Sequence, residues 1–354
     1  MASEFADKEI ERIRKRTLKF LPVAISVVII VVFVYSLLMG VNLKKIASIG
    51  LKDLLLVFFL LIFLPIIAGI RLSLIARSIG INAKHDGILA RGASQFIALT
   101  TPATAGAQIV KAFWIKIKGG GWDLGFGVAY LETFFDVLLV NSIILTLEIP
   151  AAIRGDIKVL PVIILSLYSV VLFILLFTAA IVEKSRTAIV KLLRKMRIPI
   201  EEENIKNFGI AFQSIIKQPF NLLIVILLTI SYLIVQGGVA LIVSLSLGEN
   251  MSLIDAIIFA AMVQVMGGTP TPGGSIGVEY GATLLLEPQI VVTWRLISYF
   301  GTLVYTFILF ELFIIHYVRR RSTLAIRTNI KVNDSSMQGD ITQIIVKSLN
   351  LPKM

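Results

Sequence analysis

Apolar residues in this chain come in long unbroken runs, and the polar residues gather in the gaps between them. Six runs, at about 20–39, 52–70, 122–147, 159–181, 219–247 and 291–317, are long enough to cross a bilayer. Some 20 helical residues at ~1.5 Å each span ~30 Å of hydrocarbon, so each run predicts a transmembrane helix. Two further stretches, 86–118 and 252–287, are apolar but interrupted, the first at Thr101-Pro102 and the second at Thr269-Pro270-Thr271-Pro272. Proline removes a backbone donor and clashes with the preceding turn, so a helix rarely runs straight through it. About 12–15 residues remain on either side of each break, roughly half a bilayer, which predicts two re-entrant helical hairpins. The expected fold class is an all-α polytopic membrane protein with about six transmembrane helices and two re-entrant hairpins.

Composition agrees with this pattern: 57% of residues are hydrophobic and 16% charged. The net charge of +12 does not indicate a nucleic-acid partner, because the basic residues flank the apolar runs in short loops and tails. Cysteine is absent and histidine occurs only at His85 and His316. Disulfides, thiolate chemistry and the usual zinc ligand sets are thereby excluded, and no metal or cofactor is expected. The first run follows Arg12, Arg14, Lys15, Arg16 and Lys19, as a signal peptide would, but exceeds the 7–15 apolar residues of such a peptide. It is expected to be a retained first span.

Positive charge also sets orientation. The basic N-terminus 1–19, the 183–217 connector and the tail 319–354 are expected in the cytoplasm, in a plasma-membrane protein. With six crossings, the 86–118 hairpin then enters from the cytoplasm and the 252–287 hairpin from outside. Crossing, hairpin, crossing occurs twice within the transmembrane region 20–318, over about 52–147 and again over about 219–317, in opposite senses. An internal likeness supports the repeat: the run from Gln95 through Thr101, Pro102, Thr104 and Gly106 to Gln108 resembles that from Gln264 through Thr271, Pro272, Gly273, Gly274, Ser275 and Gly277 to Glu279. Inverted repeats with discontinuous helices bind substrate near the midplane where the repeats meet. In the connector, Ile189, Leu192, Leu193 and Met196 lie at helical spacing opposite Lys191, Arg194 and Lys195, as in an amphipathic surface helix.

The candidate chemistry lies at the hairpins and at ionisable residues within spans. Helix N-termini following the prolines, the threonine hydroxyls and the tip glycines make a cradle for an anionic head group; alternatively, the hydroxyls only satisfy the interrupted backbone. An ionisable residue at mid-membrane costs roughly 2.5–3.5 kcal/mol on insertion scales and therefore faces a partner or a cavity. Glu132 and Asp136 share one face of the third span, and Tyr299 follows Arg295 by one turn on the sixth. Lys111 and Glu279 sit on the second arms of the hairpins, and Arg71 ends the second run. Pairing of Arg71, Lys111 or Arg295 with Glu132, Asp136 or Glu279 is expected, without a basis for choosing among the pairs. Glu311 is expected beside the Arg319–Arg321 cluster.

At these residues the chain resembles the lysylphosphatidylglycerol synthase transmembrane-region family of flippase-like integral membrane proteins. The likeness covers about residues 20–318 and is carried by Arg71–Gly80, Thr101-Pro102 with Gly106, Glu132 with Asp136, the run 271–279, and Arg295 with Tyr299. It implies a lipid-translocating membrane domain. Gln108 stands where the resemblance implies an acid and Lys111 where it implies arginine. A synthase domain is not expected after residue 318, so aminoacyl transfer is not carried over and no enzymatic activity is expected. The expected ligand is an anionic membrane lipid, aminoacylated, glycosylated or polyprenyl-phosphate-linked. The alternative is a non-transporting partner that presents lipid to a transferase. Nothing in the pattern specifies an oligomeric state.

Overall fold

A computed structural model describes residues 2–46, 48–100, 106–195, 202–268 and 274–319. These form helices α1 (Ala2–Leu38), α2 (Leu43–Ile46), α3 (Leu51–Ser78), α4 (Gly87–Thr100), α5 (Gly106–Ile117), α6 (Trp122–Ile153), α7 (Leu160–Ile181), α8 (Glu183–Lys195), α9 (Glu202–Ile216), α10 (Pro219–Ser246), α11 (Leu253–Met266), α12 (Ser275–Thr283) and α13 (Pro288–Ile314). No strand occurs among the described residues. Among the described residues six helices, in α1, α3, α6, α7, α10 and α13, are long and apolar enough to span a bilayer. The protein is therefore an all-α polytopic membrane protein, as its hydropathy predicts.

Local chemistry marks the helix starts. Ser252 and Asp255 form a reciprocal capping box on α11, satisfying donors that a helix start leaves orphaned. Pro219 opens α10 at a position where a missing N–H costs nothing. One boundary differs from the sequence expectation: α3 continues past residue 70 to Ser78. A charged residue ends a hydropathy run but not a helix, and Leu72, Ile75 and Ala76 remain fully buried beyond Arg71. Likewise α1 extends back through the basic segment to Ala2, although its membrane-length part is Leu18–Leu38.

Residues 17–310 form one compact unit. In it α3 lies along α10, α6 packs on α5, α7 and α9, and α11 packs on α10. The main core joins Val57, Leu61 and Leu64 of α3 to Val239 and Val243 of α10, Phe259 of α11, Val278 of α12 and Trp294 of α13. Helices α3 and α4 cross in near-backbone contact, where a Cβ on Gly87 would lie 2.6 Å from the Gly69 carbonyl oxygen. Among the described residues, the other unit joins 2–16 and 311–319. Within it Arg14 reaches Glu311 at 3.0 Å, a partner the sequence did not suggest, and the ring centres of Phe313 and Tyr317 are 4.9 Å apart.

Two pairs of short helices fall within the interrupted stretches. α4 and α5 have 14 and 12 residues, α11 and α12 have 14 and 9. At ~1.5 Å per residue none is longer than ~21 Å, too short to cross ~30 Å of hydrocarbon alone. Both pairs are antiparallel. Asp86, just before α4, forms an ion pair with Lys118, just after α5. In the second pair a Cβ on Gly281 of α12 would meet Met262 and Met266 of α11. On α8, Val190 and Leu193 are buried while Leu192 is exposed, so the inward face is rotated from the one expected, and Met196 lies outside the described residues.

Candidate functional site

Charged side chains inside the spans collect in two groups. The larger is centred on α6, where Glu132 and Asp136 stand one turn apart. Arg71 of α3, fully buried, donates to Asp136 through both terminal nitrogens, one of them to Oδ2 at 2.7 Å, and to Glu132 Oε1 at 3.1 Å. Its Nη1 also donates to the Thr229 hydroxyl of α10 at 3.0 Å, and its guanidinium lies 6.0 Å from the Tyr232 ring centre. Lys111 Nζ of α5 is 2.5 Å from Glu132 Oε2, and Arg91 Nε of α4 is 3.3 Å from Oε1. Three cations thus converge on two carboxylates, and the cluster carries one positive charge in excess when all are ionised.

The smaller group belongs to the second helical pair. Glu279 of α12 accepts from Arg295 Nε of α13 at 2.9 Å, and both residues are buried. The Arg295 guanidinium lies 5.3 Å from the ring centre of Tyr299, one turn further along. The Tyr299 hydroxyl is 3.5 Å from the Leu99 carbonyl oxygen at the end of α4. This places α13, which carries Arg295 and Tyr299, next to the end of α4.

Between the two groups lies a cavity of about 160 Å³. Its walls come from both halves of the chain: α3 and α4 on one side, α10, α11 and α13 on the other. Gln95, Gln236, Ser298, Thr302, Tyr232 and Arg295 supply its polar surface, and Leu61, Leu64, Val239 and Val263 its apolar surface. A mixed concave lining of this kind is what small ligand sites use.

Of the residues singled out from sequence, Arg71, Lys111, Glu132 and Asp136 come together in one cluster, and Glu279, Arg295 and Tyr299 in the other. Gln95 lines the cavity. Gln108 is elsewhere, donating from Nε2 to the Thr133 hydroxyl at 3.0 Å. Gly106 begins α5 and Gln264 lies on α11 beside cavity-lining Val263. Gly274 precedes α12 with a φ of 65°, and Gly277 is buried within it. Thr101, Pro102, Thr104, Thr271, Pro272 and Gly273 lie outside the described residues, as does the Ser275 side chain. The sequence reading missed Arg91, which stands one turn before Gln95 inside an apolar stretch and carries the same signal as Lys111. It also missed Thr229, Tyr232 and Gln236, a polar stripe at i, i+3, i+7 along an otherwise apolar span.

Among comparisons with known proteins, a family model described as the lysylphosphatidylglycerol synthase TM region matches residues 19–305, most of the chain. No curated protein and no solved structure gives a significant match.

Proposed function

The chain belongs to the lysylphosphatidylglycerol synthase TM region family, and from that premise we propose that it is a lipid flippase-like transporter. In this reading it binds an anionic lipid and carries the head group across the bilayer, without enzymatic chemistry of its own. The observation that carries the proposal is the cavity between the two halves of the chain, with Arg295 in its wall and a net-positive buried cluster behind Tyr232. A phosphate entering there meets an arginine already held in place by Glu279, in a setting where charge-assisted hydrogen bonds are strong. The two short helical pairs act as re-entrant hairpins entering from opposite faces. Relative movement of the halves around the fixed cavity then exposes it alternately. In this reading both ends lie in the cytoplasm and the membrane is the plasma membrane; the basic residues at the termini support that orientation.

Reconstitution tests this directly. Full-length protein in liposomes carrying a fluorescent phosphatidylglycerol should make the inner-leaflet probe accessible to an impermeant quencher at least about tenfold faster than empty liposomes. Arg295→Ala should lose most of that gain, a barrier change of ~1.4 kcal/mol or more for a tenfold effect. Wild-type rates equal to those of empty liposomes across a panel of anionic lipids would end the translocation reading. Stable co-purification with a transferase would then favour the presenting role instead.

A further inference from the structure

Among the described residues, the cavity wall contains no aspartate or glutamate, and its one charged side chain is Arg295. The carboxylates flanking it are already engaged: Glu279 by Arg295 at 2.9 Å, Glu132 by Lys111 at 2.5 Å and by Arg71 at 3.1 Å, Asp136 by Arg71 at 2.7 Å. Arg91 adds a further cation at 3.3 Å from Glu132. Four cations against three carboxylates leave this region net positive. Each flanking carboxylate already has an ion-pair partner, although Glu279 Oε2 itself accepts no hydrogen bond, so an ammonium group entering the cavity would add a fifth cation to a desolvated site, which is unfavourable.

What the wall does offer is neutral hydrogen bonding. The side-chain oxygens of Gln95 and Gln236 are buried and have no hydrogen-bond partner. One amide comes from α4 and the other from α10, so each half contributes one. An amide presents donors and an acceptor together, which matches a hydroxyl that both donates and accepts. Ser298 and Thr302 add hydroxyls, and Trp294, Tyr232 and Tyr299 add aromatic surface on which the C–H face of a ring can rest.

Resting on the lipid-binding reading above, we propose that the cavity selects an uncharged polyhydroxylated head group joined through a phosphate, and excludes a head group that bears an amine. Arg295 holds the phosphate, while Gln95 and Gln236 read the hydroxyls. The assignment departs from an aminoacylated lipid, the ligand that the family's description brings first to mind. Two lipid types carry the same chemistry, a glycerophospholipid with a polyol head and a polyprenyl-phosphate-linked sugar.

Competition binding to the purified full-length chain, read by native mass spectrometry, separates the outcomes. The probes are phosphatidylinositol, glucosyl-phosphoryl-polyprenol, lysylphosphatidylglycerol and phosphatidylcholine at equal concentration. At least one of the two polyol lipids should bind about tenfold or more above lysylphosphatidylglycerol, because buried groups built to pair with hydroxyls penalise a ligand that leaves them unpaired. Whichever of the two leads identifies the source of the phosphate. Gln95→Ala with Gln236→Ala should reduce the preference to about twofold. Gln236→Glu, which places a carboxylate in the wall, should raise lysylphosphatidylglycerol binding and lower that of both polyol lipids. An unchanged melting temperature for each variant ties these shifts to the site. The proposal is overturned if lysylphosphatidylglycerol binds as tightly as the polyol lipids, or if the double variant keeps the wild-type preference. Polyol selectivity without movement across vesicles removes the translocation reading and leaves this one standing; preferred binding and flipping of lysylphosphatidylglycerol does the reverse.

Discussion

At Glu132 three cations converge on a carboxylate with no solvent exposure. Burying such groups is costly, and what keeps them ionised is each other, so the balance of the cluster matters more than any one pair. Glu132→Gln would leave Arg71, Arg91 and Lys111 facing only Asp136, three charges against one. A loss of ~3–5 kcal/mol is expected, the usual cost of breaking a buried pair from one side. Lys111→Met removes the excess charge and leaves two against two, with an unbranched thioether chain in its place. Its cost should be the smaller of the two, because Glu132 keeps Arg71 and Arg91. Thermal melting of the purified proteins in detergent checks the contrast, and equal destabilisation by both substitutions would contradict it. That such residues need partners was legible in the sequence, because an ionisable group inside a span has to be compensated. Arg91 carries the same signal, one turn before Gln95 in an apolar stretch.

Among the elements, the start of α12 depends on one residue. Gly274 has a φ of 65°, and a Cβ there would lie 2.5 Å from the Gly267 carbonyl oxygen. Both the left-handed backbone and the contact with α11 exclude a larger side chain. Gly274→Val should cost about 2–4 kcal/mol, whereas Gly121→Ala, at a helix start with nothing near its Cβ, should stay within about 0.5 kcal/mol. The comparison reads on melting temperature, and an unperturbed Gly274→Val protein would show that α12 is not held against α11 as described. The glycine cluster was visible in the sequence as a need for close approach. The extension of α3 to Ser78 was not, because hydropathy registers Arg71 as an end while packing against neighbouring helices continues past it. Glu311 is a similar case. Its partner Arg14 is almost the whole chain away and so invisible to any local pattern.

For the whole molecule, the opposed senses proposed for the two short helical pairs make a prediction about sidedness. The chain has no native cysteine, so single cysteines can be introduced without background. A cysteine at Thr104 should react with an impermeant maleimide only from the cytoplasmic side, and one at Ser275 only from outside. Both reacting from the same side would remove the inverted arrangement and with it the alternating exposure of the cavity.

The sequence by itself determined the class of protein, the six spans, the two interrupted stretches, and that ionisable residues such as Arg71, Lys111, Glu132, Asp136, Glu279 and Arg295 needed charged partners. Those follow from local physics: hydrocarbon admits only helices of sufficient length, proline interrupts them, and ions inside it must be compensated. Only the tertiary structure decided that Arg71 takes Asp136 and Glu132, that Arg295 takes Glu279, and that Gln95 and Gln236 face one cavity. Arg71 and Glu132 are 61 residues apart and Arg71 and Thr229 are 158 apart. Their meeting depends on how helices rotate and cross, as at the contact of Gly69 with Gly87, and packing of that kind is a property of pairs of surfaces that no single run of residues contains.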